Sequence, residues 1–105
     1  MRFILFLAAL LAVLPAAAET MAWRSTDGRL VVTLSSNACE VAPLGAALTD
    51  AGILGAPKAA TVTVNGQALR GCWAVDDADM SQILIGDEAG HAGTLPIANF
   101  KPASM

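Results

Sequence analysis

The sequence predicts a mainly β domain of the α+β class: a small antiparallel meander of five or six strands, or a half-open barrel, with one short helix and one disulfide. Three observations lead there. Short apolar runs with a period of two recur between turn dipeptides, of which Asp27-Gly28 and Asn65-Gly66 are the strongest. A single stretch, following Pro43, has helical spacing. Two cysteines, Cys39 and Cys72, are the only ones in a chain of 105 residues that opens with an export leader.

That leader is MRFILFLAALLAVLPAAA, residues 1–18. Arg2 supplies the positive start, residues 3–14 an unbroken apolar stretch, and Pro15 a helix breaker. Ala16 and Ala18 are the small residues that a signal peptidase reads before a cut preceding Glu19. The apolar stretch is shorter than the roughly 20 residues a membrane-spanning helix needs, and no cysteine follows the cut to take a lipid. The expectation is a periplasmic or secreted protein, with no membrane anchor once residues 1–18 are removed and a single domain over residues 19–105. The overall 55% hydrophobic content is inflated by the leader, so the mature domain has a modest core and benefits from a covalent staple.

Without Arg2, five basic side chains (Arg24, Arg29, Lys58, Arg70 and Lys101) stand against nine acidic ones. There is no basic stripe to neutralise phosphates, which argues against nucleic acid and against anionic membrane surfaces as partners.

In chain order, residues 23–26 and 30–35 are strand-prone and flank the Asp27-Gly28 turn, with Leu30, Val32 and Leu34 sharing one face. Pro43 suits the first turn of a helix over residues 43–51, on which Leu44, Ala47, Leu48 and Ala51 form a stripe and which Gly52 closes. GILGAPK, residues 52–58, is rich in Gly and Pro and reads as a loop. ATVTV and ALRGCWAV flank Asn65-Gly66 as a hairpin with a type I′ turn. Leu69, Trp73 and Val75 then share one face, and Arg70 and Cys72 the other. SQILI is a further strand and TLPI a last one, placed at an edge by Pro96. NFKPASM is a tail that Phe100 pins.

An even cysteine pair in a short exported chain is the signature of a bridge between Cys39 and Cys72. A redox pair would need Cys-x-x-Cys spacing. A cysteine nucleophile would need His91 and an orienting group in a recognisable setting; neither is present.

Trp23, Asp27-Gly28, Cys39, Cys72-Trp73, Asp87-x-x-Gly90 and IANFKP occur in an order that resembles a family of short exported proteins of unknown function, associated with proteobacteria and their phages. The resemblance covers nearly all of residues 19–105. It implies paired cysteines and a structural Trp73, and it brings no catalytic role. The chain departs from the pattern in its Ala- and Gly-rich residues 45–60.

The remaining chemistry lies in two acidic turns, one with Asp76, Asp77 and Asp79 and one with Asp87, Glu88 and His91. Asp77, Asp79, Ser81 and Glu88 match positions 1, 3, 5 and 12 of a calcium loop. Gln82 replaces the glycine that loop requires, and ILI inside it prefers a strand. Glu88 and His91 have the spacing of helical metal sites, but Gly86, Gly90 and Gly93 oppose a helix. No metal, no cofactor and no catalytic residue is therefore expected. The sequence points to a non-enzymatic interaction or inhibitor-like module that offers Asp76, Asp77, Asp79, Asp87, Glu88 and His91 to a cell-envelope or secreted protein, for instance a basic hydrolase steered in by charge. The alternative is a small metal-dependent or acid–base hydrolase that uses the same turns and His91.

Overall fold

The computed structural model describes residues 20–102; the leader expected over residues 1–18 lies outside them. Seven strands form one antiparallel sheet: β1 (Thr20–Arg24), β2 (Leu30–Ala38), β3 (Ile53–Val64), β4 (Gln67–Asp76), β5 (Gln82–Asp87), β6 (Ala92–Pro96) and β7 (Lys101–Pro102). Strands β1 to β6 lie in chain order as a meander, and β7 returns to pair with the outer edge of β1. A helix, α1 (Ala42–Ala51), joins β2 to β3, and a turn of 3-10 helix, Ile97–Asn99, joins β6 to β7. No helix among the described residues is long and apolar enough to cross a membrane.

The sheet is curled into a half-barrel. Its two margins, β6 and β7, are linked by residues 97–100 alone, and four residues span at most about 14 Å. Two irregularities produce the curl. Register is interrupted between Leu34 and Ala38 where β2 pairs with β3, and between Leu54 and Lys58 where β3 pairs with β4. Extra residues of this kind bend the bulged strand and raise its local twist.

Strand number and the reach of β3 correct the sequence expectation. Residues 52–58 were expected as a loop, yet β3 begins at Ile53. Gly55, with φ +72°, and Pro57 occupy the bulge instead of ending the strand. The seventh strand, β7, has two residues, one of them Pro102, and so carries no periodic pattern. It exists because the curl brings the tail beside Met21 and Ala22.

Each side of the sheet has its own filling. On the concave side Val32, Leu34, Ala60, Val62, Trp73, Ile83, Ile85 and Phe100 are buried together. Trp73 reaches across β3, and its indole N–H donates to the Ser35 carbonyl at 2.9 Å, at the point where β2 leaves its register with β3. A buried indole requires such an acceptor. Lys58 lies over the same ring, 5.5 Å from its centroid.

On the convex side Ala59, Cys72, Gly86 and Ala92 fall in one row across β3 to β6. These small residues make a shallow bed for α1. Leu48 is buried and Leu44 half-buried, whereas Ala47 and Ala51 of the expected stripe are exposed. The helix lies on its Leu44, Gly45 and Leu48 line because Cys39, just before it, is bonded to Cys72 in the bed beneath, with 5.3 Å between the two Cα atoms. A side chain at position 45 would meet the Cys39 sulfur at 3.5 Å. The bridge expected from the cysteine count is present. In the chain-entropy view, closing a loop of this length restrains the unfolded chain by about 4 kcal/mol.

Candidate functional site in the open end of the half-barrel

One end of the concave face is filled by Leu34, Trp73 and Ile83. The other end is open. Between the Leu30 end of β2 and β3 on one side and β5 and β6 on the other lies a cavity of about 400 Å³, walled by Leu30, Val32, Val62, Val64, Ile85 and Leu95. That volume is within the range of small-molecule sites. Gly93 contributes to the space. It pairs with Ile85, in the same cross-sheet row as Trp73, and a Cβ built on it would meet nothing within 4 Å. A larger residue there would fill part of the void.

Polar groups sit at the rim: Arg29, Asn65, Asp87 and His91. Asn65 belongs to the β3–β4 turn. Its φ of 51° and the 84° of Gly66 are the left-handed pair that a type I′ turn demands. Arg29 belongs to the β1–β2 turn, and its guanidinium is 4.0 Å from the Asp27 carboxylate. That carboxylate is more closely engaged by the Ser25 hydroxyl at 2.7 Å and the Arg29 backbone N–H at 3.0 Å.

The β5–β6 turn is built around Asp87, 1% exposed although ionisable. The Ala89 N–H donates to its Oδ1 at 2.9 Å and the His91 N–H at 3.1 Å. His91 Nδ1 lies 2.9 Å from Oδ2. Gly90, at φ +96°, supplies the backbone reversal that brings these donors round. Burial alone pushes the Asp87 carboxyl up. The hydrogen bonds from the His91 N–H, the His91 ring and the Ala89 N–H outweigh it, and the group is held below its ordinary range. An ionised carboxylate only accepts, so Nδ1 carries the proton in this pair, and Nε2 of a neutral imidazole is then the acceptor nitrogen.

The two acidic turns lie at opposite ends of β5. Asp76, Asp77 and Asp79 precede the strand, while Asp87, Glu88 and His91 end or follow it. Six residues of strand hold them roughly 20 Å apart. Asp76 and Asp79 serve their own turn: Asp76 accepts from the Ala78 N–H at 2.9 Å, and Asp79 from the Ser81 hydroxyl at 2.6 Å and the Ser81 N–H at 3.1 Å. The Ser81 contacts hold the Asp79 carboxyl low. Glu88 is occupied too. It accepts from the Arg70 N–H at 2.7 Å and meets the guanidinium at 3.4 Å, fastening β4 to the turn. Asp77 is exposed. Among the described residues no three His, Cys, Asp or Glu side chains gather as metal ligands would.

Arg29, Asn65 and Gly93 were not legible as site residues. The one available signal was a mismatch: β2 and β3 offer Leu30, Val32, Val62 and Val64, while the paired end of β6 offers Ala92 and Gly93.

Compared with known proteins, the chain matches no family model, no curated protein and no solved structure. The likeness to short exported proteins therefore rests on its motifs alone.

Proposed function

We propose that the chain is an exported, disulfide-stapled binding module, periplasmic or secreted, whose ligand enters the open end of the half-barrel. The observation that carries this reading is the apolar cavity of about 400 Å³ with Arg29, Asn65 and His91 at its mouth. An apolar wall with a few polar groups at one end is the usual constitution of a small-ligand site. This reading moves recognition from the acidic turns to the cavity, because Asp76 and Asp79 bond within their own turn and Glu88 is paired with Arg70.

The test is fluorescence of N-phenylnaphthylamine, a neutral apolar dye, with the oxidised domain over residues 19–105. Enhancement is expected with the parent, and at least a tenfold loss of dye affinity with Gly93→Phe, which projects a ring into the void. Circular dichroism of the variant confirms its fold. An unchanged dye affinity in a folded Gly93→Phe protein would remove the cavity from consideration. Export is tested separately, by mass spectrometry of the chain recovered from its native compartment, where a cut before Glu19 is expected.

A second reading draws on the contact of Asp87 with His91. A carboxylate that fixes the Nδ1 proton leaves Nε2 free to act as a base. His91→Gln abolishing a hydrolytic activity, with dye binding intact, would favour it.

A further inference from the structure

We propose that the occupant of the open end is a free single-chain carboxylate, its alkyl chain among Leu30, Val64, Ile85 and Leu95 and its head group against the Arg29 guanidinium. The inference rests on the open end being the binding site and adds the class of ligand.

Charge at the rim decides the class. Among the described residues Arg29 is the sole Lys or Arg lining the cavity, and its hold on Asp27 is a 4.0 Å contact between two largely exposed groups. Such a pairing is weak and exchanges readily for another carboxylate. The Asp87 carboxylate at the same rim keeps its charge but is 1% exposed, and its oxygens are already taken by two backbone N–H groups and an imidazole. Glu88, next in sequence, is turned to Arg70. Among the described residues the mouth therefore has one exposed cation, and the oxygens of its two nearest carboxylates, Asp27 and Asp87, are engaged within their own turns, although the protein as a whole is acidic. A cationic amphiphile would meet the Arg29 guanidinium and carboxylates whose oxygens are already engaged. A neutral one would leave the guanidinium unused. Below the rim the wall is aliphatic, which suits a saturated chain.

Competition against N-phenylnaphthylamine with octanoate, decanoate and dodecanoate, each below its micelle concentration, tests the proposal, with decanol as the uncharged control. Affinity is expected to rise about fourfold per added methylene until the cavity is full, and decanoate to bind more tightly than decanol. Arg29→Gln, at an exposed turn where folding is not at risk, is expected to weaken decanoate about fivefold and leave decanol unchanged. Equal binding of decanoate and decanol, or an Arg29→Gln protein indifferent to both, would overturn the head-group assignment and leave the cavity in place. Failure of dye, decanol and decanoate alike would overturn the binding site itself. Sedimentation of the ligand-free protein as a dimer from which the dye is excluded would give the cavity to a second copy. Retention on phosphatidylcholine vesicles, with no displacement of dye by free decanoate, would give it to a bilayer. Either result overturns the proposal.

Discussion

Asp87 is ionised in a buried position because the turn it begins is folded round its carboxylate. Two backbone N–H groups and the His91 ring supply the donors that water supplies in the unfolded chain. The consequence for stability has a definite sign. The folded carboxyl titrates below its unfolded value of about 3.9. Its contribution is therefore complete above about pH 4 and is lost as the pH falls through the folded value. Asp87→Asn is expected to lower stability by about 2 kcal/mol at neutral pH, since one acceptor becomes a donor facing other donors. It is also expected to flatten this part of the acid limb, as measured by urea unfolding between pH 2.5 and 7. Asp87 was legible in the sequence only as one of several turn aspartates. What separates it from Asp77 is its place in a strand: Asp87 ends β5 in the row of Gly71, Ala60 and Leu34, on the concave side, whereas Asp77 lies exposed in the turn between β4 and β5.

Among the elements, β4 is the most constrained. It faces the core with Trp73 and Val75, and the helix with Cys72 and Ala74, so both of its sides are covered. Gly71 is where β5 comes closest: a Cβ there would stand 2.5 Å from the Gly86 carbonyl oxygen, a backbone atom. Gly71→Ala is expected to cost about 2–3 kcal/mol, read as a lower urea midpoint with an unchanged slope. The alternation of this strand, the Asn65-Gly66 hairpin and the helix after Pro43 all followed from local sequence, because turn chemistry and period act within a few residues. The N-terminal part of β3 did not. Gly55 and Pro57 are loop-formers by local preference, and they remain in a strand because β2 and β4 hold it on both sides of the bulge. Likewise the face of α1 that meets the sheet is set by the tether at Cys39, a long-range constraint, and not by the helix's own stripe.

For the molecule as a whole, curvature is the organising property. It is completed by residues 97–100, which carry the chain from one margin of the sheet to the other and set Phe100, 7% exposed, into the core. Phe100→Ala is expected to destabilise the protein by about 3–4 kcal/mol, measured by thermal unfolding of the oxidised form. The same curl packs Val32, Val62 and Ile85 into the core and leaves them walling the cavity beside it. Among the described residues the curl also leaves two strand flanks, those of β6 and β7, without a paired neighbour, and their composition matters for colloidal behaviour. The last residue of β6 is Pro96 and the last of β7 is Pro102. Neither has an N–H to offer to a docking chain, so stacking of one molecule onto the next by sheet extension, the route to fibrils in a crowded compartment, is discouraged at both flanks.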